Sequence, residues 1–153
     1  MRLALLSIAA AAVIATPAVA NEGRFEGRGG VVWSGGNSEA VAGVAAGYDW
    51  DLGDTAFAGL EVSGDKILES NTRVSLGLGG RIGAKVGDAG KLYAVSTYQT
   101  KNCKFCEESV SLGAGYQHAL GENLYGKVEY RHFFVGNGVK DFNAVAVGLG
   151  TKF

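Results

Sequence analysis

The sequence contains little proline, little cysteine and no run of basic residues. It has 1 Pro (Pro17) and 2 Cys, and its 14 Lys and Arg stand against 15 Asp and Glu. Because nucleic-acid binding favours a basic surface, we expect no nucleic-acid partner. Beyond residue 20 the chain shows neither helical periodicity nor an apolar run long enough for a membrane-spanning helix, so we expect no transmembrane helix.

Glycine, by contrast, is abundant, with 25 residues. Disordered linkers rich in glycine are usually also rich in proline or of low complexity, and this chain is neither. The glycines therefore indicate backbone that packs where side chains have no room.

The first 20 residues, MRLALLSIAAAAVIATPAVA, have the parts of a secretory signal peptide. Arg2 forms the basic region, residues 3–16 form the apolar region, and Ala18-Val19-Ala20 forms a small-residue cleavage site. An uncleaved anchor is the alternative, but the apolar stretch is short for a membrane span. We predict a signal peptide at 1–20 and one domain at 21–153. Removal of Arg2 changes the formal charge from −1 to −2.

Eight segments of the mature chain alternate between two kinds of residue, and turn signals separate them. Each is about ten residues long, the length at which a tilted strand crosses a bilayer. The predicted strands are 24–33, 40–51, 55–64, 72–83, 91–100, 109–120, 124–134 and 142–153. Three connectors (51–54, 84–90 and 121–123) predict a short-turn end. The other four (33–40, 64–71, 101–109 and 135–141) predict a loop end.

One face of each segment is larger and apolar, and the other mixes very small residues with a few full charges. In KVEYRHFF (127–134), for example, Lys127, Glu129 and Arg131 share one face. A soluble sandwich or lipocalin-like barrel would place the apolar face inside and leave long stretches of Gly, Ala and Ser in water, where glycine weakens a strand. With the faces reversed, the small and charged residues fill the narrow interior of an eight-stranded barrel. We therefore predict an all-β fold, a closed eight-stranded antiparallel up-and-down transmembrane β-barrel, since closure also satisfies the backbone polar groups in lipid.

Aromatic residues on the apolar face fall near strand ends, where membrane interfaces favour them. The predicted interface residues are Trp33, Tyr48, Trp50, Tyr98 and Phe134. Strand five departs from the pattern, with Tyr93 and Val95 on the inward face and Ser96 on the outward one.

Charges enclosed in a narrow lumen must pair, because an isolated buried charge costs several kcal/mol. Glu61 and Arg73 flank the 64–71 connector at similar distances, so we expect them to meet across strands three and four. The predicted lumen network, to which Glu26 and Arg28 are candidate additions, is Glu61, Arg73, Arg81, Lys127, Glu129 and Arg131. We interpret it as a structural filling of the barrel, and the alternative is a gate that moves to pass ions.

The conjunction of these features resembles the small outer-membrane β-barrels of Gram-negative bacteria, including the OmpA-type barrel, OmpX-like proteins and the opacity-protein, porin-like family. The signal, the eight alternating segments, GKVEYR (126–131) and the closing VAVGLGTKF (145–153) carry the resemblance. It implies an outer-membrane location, with termini in the periplasm and loops at the surface. It also implies that the barrel-assembly machinery reads a C-terminal signal consisting of Val145, Val147, Leu149, Thr151 and Phe153.

Two motifs could carry chemistry. Cys103 and Cys106 form a C-x-x-C on a loop of an exported protein, where thiols oxidise, so we predict a structural disulfide. A metal pair would supply only half of a zinc site, and a catalytic dithiol would lack the helix N-terminus that lowers a thiol pKa. His118 and His132 lie near opposite rims, so they cannot share a site, and no serine stands two residues beyond His132 as an outer-wall hydrolase would need.

We therefore expect a non-enzymatic structural protein of the envelope surface, with no cofactor or metal, in contact with outer-membrane lipid and monomeric. A narrow pore for ions or small solutes is the first alternative. An adhesin or receptor acting through the loops at 64–71 and 101–109 is the second, and an outer-wall lipid hydrolase is a more distant one.

Overall fold

The structure is a computed structural model that describes residues 21–103 and 106–153. The predicted signal peptide at 1–20 lies outside the described residues. The described part contains eight strands: β1 (Asn21–Ser34), β2 (Asn37–Leu52), β3 (Ala56–Ile67), β4 (Ser75–Val86), β5 (Gly90–Gln99), β6 (Ser109–Ala119), β7 (Leu124–Val135) and β8 (Phe142–Lys152). Each bound lies within three residues of the prediction, because strict alternation marks a strand throughout its length.

The strands form a closed barrel in sequence order. Each strand pairs antiparallel with the next, and β1 also pairs antiparallel with β8, where Gly27 lies opposite Leu149. The predicted antiparallel up-and-down closure is thus confirmed. Because the sheet has no open edge, its backbone donors and acceptors pair within the barrel, as a lipid environment demands. No helix among the described residues is long and apolar enough to cross a membrane.

The barrel has a short-turn end and a loop end. The turns at 53–55, 87–89 and 120–123 lie at the short-turn end, together with Asn21 and Phe153, which mark the beginning and end of the barrel. Residues 68–74, 100–103, 106–108 and 136–141 lie in loops at the opposite end. The predicted loop at 33–40 is wrong: Gly35 and Gly36, with φ of 57° and 96°, make a two-residue turn that lets both strands continue.

The loop between β3 and β4 also differs from the prediction. Asn71 takes a left-handed φ of 66°, and the Thr72 hydroxyl donates a hydrogen bond to the Ile67 carbonyl at 2.6 Å. The Arg73 amide donates to the carbonyl of Asn102 in the next loop at 2.6 Å. These local hydrogen bonds compete with the strand ladder, so β4 begins at Ser75 rather than at residue 72.

The two faces of the wall are inverted relative to a soluble barrel, as predicted. Outward side chains are apolar and open, with Leu60 55% and Val147 62% exposed. Inward side chains include Arg24 and Glu61, each only 1% exposed. Charge is therefore concentrated inside the barrel and apolar surface outside it, which suits a wall that contacts acyl chains.

Candidate functional site: the ion-pair network of the barrel interior

The middle of the barrel is filled by a single connected network of charged side chains, which we call the lumen network. Its five cations are Arg24, Arg28, Arg81, Lys127 and Arg131, and its five anions are Glu26, Asp49, Glu61, Asp65 and Glu129. Five positive and five negative charges cancel, and Lys91, which lies 3.4 Å from Asp49 at the short-turn end, is balanced by Glu22 at 2.8 Å. An enclosed set of ions that is neutral and paired avoids the large penalty of an isolated buried charge.

Glu61 on β3 is the centre of the lumen network. Its two oxygens lie 2.9 Å from Arg24 Nη1 and 2.8 Å from Arg131 Nη2. Arg28 Nη1 is 3.2 Å away and Lys127 Nζ 4.0 Å away. One carboxylate thus balances cations that project from β1 on one side and β7 on the other.

Glu129 and Glu26 join the network to two tyrosines. Glu129 accepts from Arg131 Nε at 2.6 Å and from the Tyr93 hydroxyl at 2.8 Å. Glu26 accepts from the Tyr125 hydroxyl at 2.7 Å, and its other oxygen lies 2.5 Å from Lys127 Nζ. Each phenol hydroxyl thus donates a hydrogen bond to a carboxylate that is already paired with a cation.

A bidentate ion pair lies at each end of the lumen network. Toward the loop end, Arg28 donates from Nε and Nη2 to Asp65 at 2.8 and 2.6 Å. Toward the short-turn end, Arg81 donates to both oxygens of Asp49. The Arg81 guanidinium also lies 4.8 Å from the centroid of the Tyr93 ring, a cation–π distance. The forked geometry of these pairs holds the side chains in one arrangement.

Glycines on the inner wall make room for the large side chains. A Cβ at Gly115 would lie 2.5 Å from Cζ of Tyr93, and a Cβ at Gly150 would lie 2.5 Å from Cζ of Tyr125. Both distances are shorter than van der Waals contact. The high glycine content thus has the steric explanation that the sequence indicated.

Of the residues predicted for the lumen network, five lie in it: Glu61, Arg81, Lys127, Glu129 and Arg131. Glu26 and Arg28 lie there as well. The prediction for Arg73 is wrong, because this residue precedes β4 in an exposed part of the loop. Glu61 faces Gly79 on β4 instead.

Sequence reasoning missed Arg24, Asp49 and Asp65. Each lies on the inward parity of its strand, at an even position in β1 and at odd positions in β2 and β3. Arg24 and Asp49 already lie within the predicted strands 24–33 and 40–51, where parity alone would have found them. Extending the predicted third strand by one residue would have found Asp65.

Replacing Tyr93 by phenylalanine should destabilise the barrel by about 1.5–3 kcal/mol, because Glu129 loses a buried hydrogen bond to a charged acceptor. Equilibrium urea unfolding in lipid vesicles measures this difference. Tyr98→Phe is the matched control, since Tyr98 lies on the same strand and points outward. Equal effects of the two substitutions would contradict the role given to the Tyr93 hydroxyl.

The predicted interface aromatics all lie on the outer wall. Trp33, Tyr98 and Phe134 are near the loop end, whereas Tyr48 and Trp50 are near the short-turn end, with ring centroids 5.1 Å apart. Amphipathic rings at both ends of an apolar band match the two interfaces of a bilayer.

The residues of the predicted C-terminal signal line one face of the last strand and point outward. They are Val145, Val147, Leu149, Thr151 and Phe153. Their use as an assembly signal stays a prediction.

The two histidines lie on the outer wall at opposite ends. His132 Nδ1 is 2.8 Å from Asn143 Oδ1, which also accepts from the Tyr130 hydroxyl at 2.7 Å. The hydroxyl of Tyr116 lies 3.2 Å from Nδ1 of His118. Each histidine thus has a polar neighbour of its own near an interface.

Cys103 and Cys106 form a disulfide in the loop between β5 and β6, with Cα atoms 5.0 Å apart. In the same loop Lys101 donates to Glu107 at 3.0 Å, and this hydrogen bond and the nearby negative charge raise the pKa of the Lys101 ammonium. Within the described residues no group of three or more His, Cys, Asp and Glu could hold a metal ion.

Mass spectrometry of the non-reduced protein should find the peptide that contains Cys103 and Cys106 lighter by the mass of two hydrogens, because the two sulfur atoms are joined in a disulfide. Reduction followed by alkylation should add one label to each cysteine. Alkylation of both cysteines without reduction would contradict the disulfide.

No family model and no curated protein matches the chain, but solved structures match its fold. Neisserial surface protein A (NspA) superposes with a TM-score of 0.58 at 15% identity, covering 90% of this chain and 100% of that one. The N-terminal β-barrel domain of Pseudomonas aeruginosa OprF gives 0.60 at 16%, covering 89% and 100%. Ail, the attachment invasion locus protein of Yersinia pestis, gives 0.60 at 12%, covering 87% and 98%.

At these sequence identities, the structural similarity shows a shared fold. A de novo designed transmembrane β-barrel matches as well, with a TM-score of 0.55 at 19% identity, covering 91% of this chain and 98% of that one. The chain is thus a closed eight-stranded transmembrane β-barrel. Its fold is that of the small outer-membrane barrels, as the sequence resemblance predicted, and this likeness supports an outer-membrane barrel protein.

Proposed function

We propose that the protein is a non-enzymatic structural component of the outer membrane whose lumen does not conduct. The observation that carries this proposal is the neutral lumen network, which joins residues of β1, β2, β3, β4 and β7 across the interior. A conducting barrel needs a continuous aqueous path, and eight strands leave an interior that side chains can fill.

Two recesses enter the barrel from opposite ends, and the lumen network lies between them. The recess at the loop end is lined by Arg28, Asp65, Glu129 and Arg131. The recess at the short-turn end, about 440 Å³ in volume, is lined by Glu22, Lys91, Gln117 and others. Arg24, Asp49 and Glu61 line neither of these two recesses, which supports an interior that is closed at its centre.

We further propose that the short-turn end faces the periplasm and the loop end faces the cell surface. Short turns at one end and loops at the other are the arrangement of outer-membrane barrels, in which the loops are extracellular. The predicted signal peptide would export the chain, the barrel-assembly machinery would insert it through the C-terminal residues of β8, and the folded barrel would be monomeric in lipid.

Planar-bilayer recording tests the closed lumen. Folded protein, verified by its shifted migration on an unboiled gel, should give no steady single-channel current. The double variant Arg24→Ala with Glu61→Ala removes two facing side chains and should admit ions, which would show that the silence of the wild type arises from the lumen network. Steady current from the wild type that is lost in Glu129→Ala or Arg131→Ala would favour the narrow-pore alternative.

A loop-mediated adhesin has less support from the geometry. The first connector at the loop end consists of Gly35 and Gly36 alone, and the other three are short. Ail, which shares the fold, has been crystallised with the heparin analogue sucrose octasulfate. Cell-binding assays with and without the loops at 68–74 and 100–108 address this role, and binding that depends on those loops would replace the structural proposal.

A further inference from the structure

The inward face at the loop end is apolar on five strands, unlike the charged middle of the lumen, whereas β4, β5 and β6 present Ser75, Gln99 and Ser109 there. Five inward side chains from five strands form what we call the apolar collar: Val32, Val41, Ile67, Phe133 and Phe142. Phe133 and Phe142 are paired across β7 and β8 with their rings stacked, 4.3 Å between centroids. The inverted barrel calls for small or polar residues at inward positions, so the apolar collar needs an explanation of its own.

The apolar collar lines most of the loop-end recess described above, a cavity of about 60 Å³ that Ser75 and Gln99 also line. Charged members of the lumen network form the floor of this cavity. A further recess, of about 480 Å³, lies under the loops and is lined by Trp33, Val135 and Val139, with the charged residues Glu39, Glu107 and Lys140 also in its lining. Val32, Ile67, Asn102 and Phe142 line both spaces, so the cavity opens into the recess. A volume of this size accommodates a small molecule rather than a folded partner.

The floor of the cavity indicates that the occupant carries no charge. Arg28 gives its Nε and Nη2 donors to Asp65, and Arg131 gives Nε to Glu129 and Nη2 to Glu61. Every charge at the floor therefore already has a counter-ion of the same network. A charged molecule entering here would lose its hydration without gaining an unpaired ion of opposite sign.

We infer that the apolar collar and the recess above it form a binding site for a small, uncharged and mostly apolar molecule that enters from the loop end. Such a molecule would cover apolar side chains that otherwise face water at the mouth of the barrel. This inference goes beyond the structural role proposed above, because a barrel with a closed centre can still hold a ligand at its mouth.

Methyl NMR in lipid nanodiscs tests the inference, with 1-octanol as the probe. The isoleucines beyond residue 20 are Ile67 in the apolar collar and Ile82, which is 60% exposed on the outer wall. Octanol bound in the collar should shift the Ile67 methyl signal in a saturable way. Octanol that only enters the lipid should shift Ile82 alone, without saturation, and that outcome would overturn the inference. Substitution of each isoleucine by valine assigns the two signals.

Probe charge and cavity filling provide the controls. At pH 8, octanoate and octylammonium should bind at least about tenfold more weakly than octanol, because a charged head group at the floor of the cavity finds no unpaired counter-ion. Ala146→Leu fills the cavity and should abolish the saturable response, whereas Ala94→Leu, on the outer wall, should preserve it. Val41→Phe is a second filling variant if Ala146→Leu does not fold. An equal response to all three probes, or an unchanged response in the filled variant, would contradict the site.

Discussion

Replacing Glu61 by glutamine is expected to destabilise the barrel by about 3–5 kcal/mol, the usual cost of breaking a buried ion pair by removing one partner. The carboxylate balances Arg24, Arg28 and Arg131 within 3.2 Å, and glutamine preserves the shape while removing the charge. The lumen network would then hold five cations against four anions. Equilibrium urea unfolding in lipid vesicles, followed by the fluorescence of Trp33 and Trp50, measures the change.

Glu69→Gln is the matched control for this substitution, because Glu69 is exposed in the loop between β3 and β4. It should change the free energy of unfolding by less than about 0.5 kcal/mol. Adding Arg24→Met to Glu61→Gln restores neutrality. The loss in free energy of unfolding of the double variant should therefore be smaller than the sum of the two single losses by at least about 1 kcal/mol. Loss of less than about 1 kcal/mol in Glu61→Gln would show that the lumen network does not hold the barrel together.

The second large effect is expected on the outer wall. Leu78→Arg should cost about 2–4 kcal/mol, because Leu78 lies opposite Val62 in the middle of β3, so an outward arginine there meets the inner part of the bilayer. The same vesicle unfolding assay measures this loss.

Leu68→Arg provides the comparison. Leu68 is 58% exposed and Leu78 is 61% exposed, so accessibility alone predicts the same result for both. Leu68 lies in a loop beyond the strands, and its substitution should change stability by less than about 0.5 kcal/mol. If Leu78→Arg is tolerated as well as Leu68→Arg, the outer wall faces water rather than lipid.

The strands and the inversion of their faces could be predicted because alternation is a local property. Each segment carries its own two-residue period, and eight such segments of similar length limit the architectures that satisfy every backbone hydrogen bond in lipid. Tyr93 and Val95 of strand five point inward, as predicted. The barrel tolerates the inward Tyr93 because its hydroxyl donates a hydrogen bond to Glu129.

The ends of the strands were less predictable. The alternation of the predicted fourth strand continues through Arg73, and nothing in that period reveals that Asn71 and Thr72 close a turn there. The prediction of an ion pair between Glu61 and Arg73 is wrong for the same reason. At the first connector the residues WSGGNSEA suggested a loop, whereas two glycines with positive φ suffice for a tight turn.

The pairing inside the lumen network could not be predicted at all. Glu61 meets Arg131 across the interior, although the two residues are separated by 70 positions in sequence. Such a contact depends on how the closed sheet is staggered, a property of the whole barrel rather than of any segment. Strand parity predicted which face of each strand points inward, but it did not predict which charged side chains pair with each other.

Nuclear Overhauser contacts between protein methyl groups and lipid acyl chains, recorded in nanodiscs, test the inverted wall most directly. The methyl groups of Leu78, Leu112 and Val147 should show cross-peaks with acyl methylene protons, and those of Val95, which is 1% exposed and points inward, should show none. Water contacts in place of acyl contacts at Leu78, Leu112 and Val147 would contradict the assignment of the apolar face to the membrane.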